Sequence, residues 1–174
     1  MSDLWVFGYG SLIWRPGFPF LQRQRATLVG LHRSLCIYSF VHRGTPEHPG
    51  LVLGLDRGGT CRGVAFQVAD ADREEVIGYL RAREQVTSVY LERTRPVTLE
   101  NGERVPALTY IADRTHAQYC APLDDEAKLA IVAGSSGQSG PNAEYVVNTV
   151  QHLEALGIPD RRLHRLAERL AVSS

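Results

Sequence analysis

Glu84 occupies a position that packing alone does not explain. It ends a helical period carried by Val76, Ile77 and Leu80. At about 100° per residue it falls within roughly 30° of the centre of that apolar stripe. A carboxylate on a core-facing surface costs free energy unless something pairs with it. One reading is a structural ion pair at the helix end, to Arg81 or another arginine. The other is a partly desolvated carboxyl of raised pKa that serves first as general base and then as general acid. Glu75 lies roughly 180° from Glu84 on the same helix. It reads as a helix-start cap, in a box opened by Asp72, and not as a second carboxylate of one pocket.

The turn Gly8-Tyr9-Gly10-Ser11-Leu12 is the second feature. A glycine-rich turn off a buried strand end can aim successive backbone amides into a concavity and hold a carboxylate; it can equally be a plain strand-to-strand turn. It is not a dinucleotide fingerprint, because the third glycine would fall on Ile13 and no helix is expected next. A P-loop is excluded, since no Gly-Lys-Ser/Thr occurs. The glycine- and serine-rich stretch 134–140 reads as a flexible connector. Cys36, Cys61 and Cys120 form no CxxC, and a cysteine nucleophile would need a base nearby in space. The six His are scattered, with no HExxH, so no metal and no cofactor is expected. By residue type alone, Arg43 is a loop residue in a Gly/Pro-rich turn and Tyr145 a helix-start aromatic.

The elements that must position these residues follow from patterning. Leu4–Phe7 is a short buried strand. Pro16 and Gly17 argue against a helix straight after the turn. Strands are expected over Ser34–Val41, Leu51–Leu55 and Gly63–Val68, the last two joined by a hairpin at Asp56-Arg57-Gly58-Gly59. The helix from Asp72 to position 84 follows. Strands over Tyr90–Leu99 and Val105–Ala112 are joined at Asn101-Gly102. After residue 120 the pattern is helical. One helix opens at Asp124-Asp125, a second at Pro141-Asn142 with Val146, Val150 and Leu153 on one face. The third is capped by Asp160 and striped by Leu163, Leu166, Ala167 and Leu170. The expected class is α+β: a mostly antiparallel, barrel-like sheet with one crossing helix and flanking C-terminal helices.

Composition bounds the function classes. The chain has 174 residues, fitting a single domain over 1–174. Its 19 Lys and Arg balance 19 Asp and Glu, which argues against a nucleic-acid-binding basic surface and against a disordered chain. Eighteen of the cations are Arg, with Lys128 the single lysine. The first 60 residues hold six Arg against Asp3, Glu47 and Asp56, a hint that an anionic small molecule is met there. Sparse cysteine, no basic-plus-apolar leader and no apolar run of about 20 residues predict a cytoplasmic protein with no membrane partner.

Together these residues resemble the ChaC family, the glutathione-specific γ-glutamylcyclotransferases of the wider γ-glutamylcyclotransferase-like fold. The specific string is Trp5-Val6-Phe7-Gly8-Tyr9-Gly10-Ser11-Leu12-Ile13-Trp14. The likeness continues in order through Arg43-Gly44-Thr45-Pro46, Pro49-Gly50-Leu51-Val52, Gly63-Val64-Ala65, Arg83-Glu84, Tyr90 and Asn142-Ala143-Glu144-Tyr145. It implies a barrel with flanking helices, and makes Glu84 the matching catalytic carboxylate. It also implies that Tyr9, Gly10, Ser11 and Leu12 bind the substrate anion, and that Arg43 and Tyr145 border the pocket. Family members often carry a glycine-rich step after the catalytic Glu; here it reads Gln85-Val86-Thr87-Ser88-Val89-Tyr90, without glycine.

The implied reaction is cleavage of glutathione to 5-oxoproline and cysteinylglycine, by attack of the α-amine on the γ-carbonyl, with no cofactor. Two alternatives accompany it. One is a cyclotransferase for other γ-glutamyl amines or dipeptides. The other is a non-catalytic regulatory protein that binds a γ-glutamyl metabolite.

Overall fold

The computed structural model describes residues 3–84 and 89–173. Strands β1 (Leu4–Gly8), β2 (Gln22–Ser39), β3 (Gly50–Val68), β4 (Tyr90–Leu99) and β5 (Arg104–Ala112) close a barrel with neighbours in the order β1-β3-β2-β4-β5. All five residues of β1 are buried, as a short apolar run predicts. β1 pairs antiparallel with β3, from Leu4↔Val68 to Gly8↔Val64, and parallel with β5 at Val6↔Leu108. β4 and β5 run antiparallel from Tyr90↔Ala112 to Thr98↔Arg104, and the Asn101-Gly102 turn joins them with Gly102 at φ 90°.

Several boundaries differ from those expected. β3 is one continuous strand, so no hairpin forms at Asp56-Arg57-Gly58-Gly59. The two glycines take positive φ, 98° and 68°, inside the strand, where glycine alone adopts such a bend without steric cost. The chain reverses instead in the segment 40–49, where a Cβ on Gly44 would run into Ser39 O and the Pro49-Gly50 backbone. β2 begins twelve residues before Ser34, at Gln22. Its first four residues, Gln22-Arg23-Gln24-Arg25, carry no apolar signature. Pairing fixes them, through Ala26↔Leu99 and the Arg25–Glu100 ion pair. A single helical turn, α1 (Ser11–Trp14), forms before Pro16. Helix α2 (Arg73–Glu84) is entered through a 3-10 turn at Asp70–Asp72, not at a box opened by Asp72.

The chain divides into two compact units. The first comprises Met1–Ser34 and Gly54–His116. Its most buried large side chains include Phe7, Ile13, Phe66, Leu80, Leu99 and Tyr110. The second comprises Leu35–Leu53 and Ala117–Ser174. It holds α3 (Asp125–Gly134), the two-residue strands β6 (Ser136–Gly137) and β7 (Gly140–Pro141), α4 (Asn142–Ala155) and α5 (Arg161–Ser173). Asp124 caps α3 by accepting from Ala127 N at 2.8 Å, and Asp160 accepts from Leu163 N at 3.1 Å at the start of α5. Gly157, at φ 69°, ends the turn after α4. The stretch 134–140 is not a free connector. It forms the β6–β7 ladder, and Gln138 N and Ser139 N donate to Val41 O and His42 O at 2.8 Å each. No described helix is long and apolar enough to cross a membrane.

Candidate active site

Glu84 is the last residue of α2, in line with Val76 and Leu80, which are fully buried eight and four residues earlier. Its side chain is 17% exposed. Burial pushes its carboxyl pKa up, and the neighbouring Arg83 charge pulls it part of the way back. Of the two arginines that precede it on the helix, Arg81 is engaged elsewhere and Arg83 forms a long ion pair with it. Arg81 donates through Nε and Nη2 to the two oxygens of Glu92, at 3.0 Å each. Arg83 Nε stands 3.7 Å from Glu84 Oε1, within Coulombic reach and beyond hydrogen-bonding range.

Across the ladder from Glu92, the buried Tyr110 donates its phenol to Glu92 Oε1 at 2.8 Å. Burial first, and then that hydrogen bond, hold the phenol far above its ordinary pKa, and the Glu84 charge adds to the effect. Glu92 is held below the usual carboxylate range, mainly by its Arg81 hydrogen bonds. The two carboxylates are thus driven in opposite directions, the Glu92 pKa down and the Glu84 pKa up.

The turn after β1 places Tyr9 and Leu12 inward and Ser11 outward. Ile13 N donates to Gly10 O at 2.9 Å and Arg15 N to Ser11 O at 2.8 Å, which closes α1. Two arginines brace the turn. Arg33, buried on β2, donates through Nε to Tyr9 O and through Nη2 to Arg62 O, at 2.6 Å each. Arg83 donates through Nη2 to Ser11 Oγ at 3.0 Å, and through Nη1 to Arg15 O, Pro16 O and Tyr79 Oη at 2.5, 3.1 and 3.0 Å. Ser11 Oγ and Glu84 Oε1 therefore both lie within 4 Å of one guanidinium.

Arg43 and Tyr145 belong to the second unit. There the guanidinium carbon of Arg43 sits 5.6 Å from the Tyr145 ring centroid, and Arg43 Nη1 donates to Pro141 O at 3.1 Å. The Tyr145 hydroxyl accepts from Leu53 N at 3.0 Å. The structure joins these two to each other; Glu84 and the Tyr9–Leu12 turn are joined in the first unit. The glycine-free step at 85–88 lies outside the described residues.

Two supporting roles escaped the sequence reading. Arg33 has a signal in the alternation Leu31, Arg33, Leu35, all buried, which puts a charge at an inward position. Asn142 is expected from sequence only as a helix start and as part of the family likeness: it is fully buried and clamps Leu51, with Oδ1 accepting from its N–H and Nδ2 donating to its carbonyl at 2.8 Å each. Among the described residues no group of three or more His, Cys, Asp or Glu is arranged to hold a metal ion.

Comparison with known proteins fits this arrangement. The model of the ChaC-like protein family matches residues 4–172. A glutathione-specific γ-glutamylcyclotransferase of Escherichia coli (strain K12) is 36% identical over 165 residues, covering 95% of this chain and 71% of the relative. A glutathione-specific γ-glutamylcyclotransferase 1 of Danio rerio is also 36% identical over 165 residues, covering 91% and 83%. In three dimensions the chain resembles a yeast γ-glutamyl cyclotransferase specific to glutathione, with TM-score 0.86, 25% identity and coverage of 98% and 96%. A family match along nearly the whole length, on a fold shared with a solved relative, has one consequence: this chain belongs to the ChaC-like family.

Proposed function

We propose that this protein is a γ-glutamylcyclotransferase acting on glutathione, with Glu84 as its proton shuttle. The observation that carries the assignment of Glu84 is its half-buried carboxyl of raised pKa, one residue from the arginine that braces the Tyr9–Leu12 turn. The substrate class rests on family membership.

The reaction is an internal aminolysis. The α-nitrogen attacks the γ-carbonyl carbon, a five-membered lactam closes, and the bond to the cysteine nitrogen breaks. The α-ammonium gives up two protons on becoming a lactam nitrogen, and the leaving nitrogen gains two on becoming an ammonium. A single carboxyl that reaches both nitrogens can relay these protons and return unchanged. Burial suits Glu84 to this work, because a raised pKa makes it more effective in its acid step. Nucleophile and electrophile share one molecule, so the remaining task is to fold the γ-glutamyl chain into attack geometry. Amides at the start of a helical turn have no intrahelical acceptor, and those of Tyr9–Leu12 are the proposed grip on the α-carboxylate. Roles for Arg43 and Tyr145 at the substrate belong to the same proposal and come from the family resemblance; work as one cytoplasmic domain belongs to it too, and comes from length and composition.

Incubation with glutathione and mass spectrometry tests this reading. Wild type should release 5-oxoproline and cysteinylglycine, faster than it turns over γ-glutamyl-alanine. Glu84→Gln should fold and fall below about a tenth of the wild-type rate, a barrier change above about 1.4 kcal/mol. Activity above that level in a folded Glu84→Gln protein would remove Glu84 from the chemistry.

A further inference from the structure

Arg83 touches both halves of the proposed site, and the reaction as written gives it no part. Its side chain is 21% exposed, so the guanidinium is largely withdrawn from water and its donors must be used. They are used on one target region: Ser11 Oγ, the carbonyls of Arg15 and Pro16, and the Tyr79 hydroxyl one helical turn back. A planar fork of this kind fixes distance and angle together, which an ammonium on a flexible stem does not. The backbone that Arg83 grips is the exit of the Tyr9–Leu12 turn, and the next residue along the helix is Glu84.

The chemistry of the Ser11 contact adds a second consequence. A guanidinium only donates, so Ser11 Oγ must accept from it. The hydroxyl hydrogen of Ser11 is then directed away from Arg83, and Ser11 is exposed on the outer side of the turn. It is a prepared donor beside amides that have been assigned to an anion.

We propose that Arg83 is the positioning residue of this site: it sets the Tyr9–Leu12 turn at a fixed distance from Glu84 and presents the Ser11 hydroxyl hydrogen to the substrate's α-carboxylate. The inference rests on the proposed function, in that it takes Glu84 and the turn as the two ends of one substrate grip. It also has an electrostatic signature. The titratable and charged groups around Glu84, among the described residues, are Arg83 and Arg81 on its own helix and, from the sheet, the Tyr110 phenol with Glu92, the partner of Arg81, behind it. Of these, Arg83 is the group that favours the charged carboxylate. Removing its charge raises the Glu84 pKa further, so the acid limb of the rate profile moves to higher pH.

The experiment compares wild type with Arg83→Gln, Arg83→Lys, Ser11→Ala and the Ser11→Ala/Arg83→Gln double variant, each by kcat and KM for glutathione across pH. Arg83→Gln should raise KM at least roughly tenfold, the scale of one hydrogen bond to a charged group, and move the acid limb of kcat upward. Arg83→Lys should restore the limb and leave KM raised. Adding Ser11→Ala to Arg83→Gln should change KM little, because the hydroxyl has already lost its orientation. A purely structural arginine would lower the melting temperature with KM and the limb within twofold of wild type, and that result overturns the proposal, as do fully multiplicative Ser11 and Arg83 effects. Should Arg83→Gln fail to fold, Arg83→Lys decides: raised KM with an unmoved limb supports the proposal, and wild-type KM overturns it. A wild type that releases no 5-oxoproline defeats the proposed function, and calorimetry of glutathione then decides the inference. Binding weakened by Arg83→Gln supports it; unchanged binding, or no binding to wild type, overturns it.

Discussion

Glu84 and Glu92 lie close in the first unit and carry opposite electrostatic instructions, which makes them a matched pair of controls. Burial raises the folded-state pKa of Glu84 above its unfolded value. Folding therefore favours the protonated form: the stability linked to this group is fully present below the unfolded pKa and is lost as pH rises through the folded one. Gln cannot ionise, so Glu84→Gln should melt at a higher temperature than wild type near neutral pH, with the difference vanishing in acid. A lower melting point near neutral pH would mark the carboxylate as a structural partner instead. Glu92 runs the other way, its pKa lowered chiefly by the Arg81 hydrogen bonds. Its contribution is present above the unfolded pKa and is lost as pH falls through the folded one. Glu92→Gln should therefore destabilise the protein near neutral pH, and titrating downward should close the gap. Tyr110→Phe removes a buried donor to the same carboxylate and should cost about 1–3 kcal/mol by urea titration.

At the scale of elements, the site depends on close backbone contacts. On β3, a Cβ at Gly63 would meet Gly8 O and come within 2.8 Å of Phe7 Cζ. The end of β1, where the Tyr9–Leu12 turn begins, is thus pressed against a residue that must have no side chain. Gly63→Ala should cost about 1–3 kcal/mol in equilibrium unfolding and raise KM by displacing the turn. At the start of α4, Asn142→Ala would leave the Leu51 N–H and carbonyl without their amide partner, a loss of about 2–3 kcal/mol. Elements with a strong period were legible in the sequence: β1, α2, the β4–β5 hairpin, and α4 and α5 with their caps. The long strands were not. β2 begins in a polar stretch whose strand character comes from its partners, and β3 contains a glycine pair that has the composition of a turn and the geometry of a bend. Local composition cannot separate the two, because the deciding term is hydrogen bonding to strands distant in sequence.

For the whole molecule, the balance of 19 cationic and 19 anionic side chains leaves recognition to local arrangement and not to net field. Ligand binding to the folded state then has a readable effect on stability. Glutathione at about 100 times its dissociation constant should stabilise the Glu84→Gln protein by about 2.7 kcal/mol. Cysteinylglycine, which lacks the γ-glutamyl group, should do far less at the same concentration. Equal thermal shifts from the two would place the grip on the wrong end of the substrate.

By itself the sequence determined the family, the α+β class, and the identity of Glu84 and the Tyr9–Leu12 turn as residues out of keeping with plain packing. Periodicity and residue type are local properties, and those features are local. It left open whether Glu84 was neutralised by an arginine, because ion-pair partners are chosen in space. Tertiary structure decided that Arg81 of the helix pairs with Glu92 on β4, while Arg83 donates to Ser11 and the Arg15 and Pro16 carbonyls and meets Glu84 only in a long ion pair at 3.7 Å. It also decided that Arg33 and Asn142 serve as buried braces. The physical reason is the same in each case: a guanidinium or an amide withdrawn from water must find its acceptors wherever the fold brings them, and residues such as 11 and 83 become neighbours only after the chain has closed.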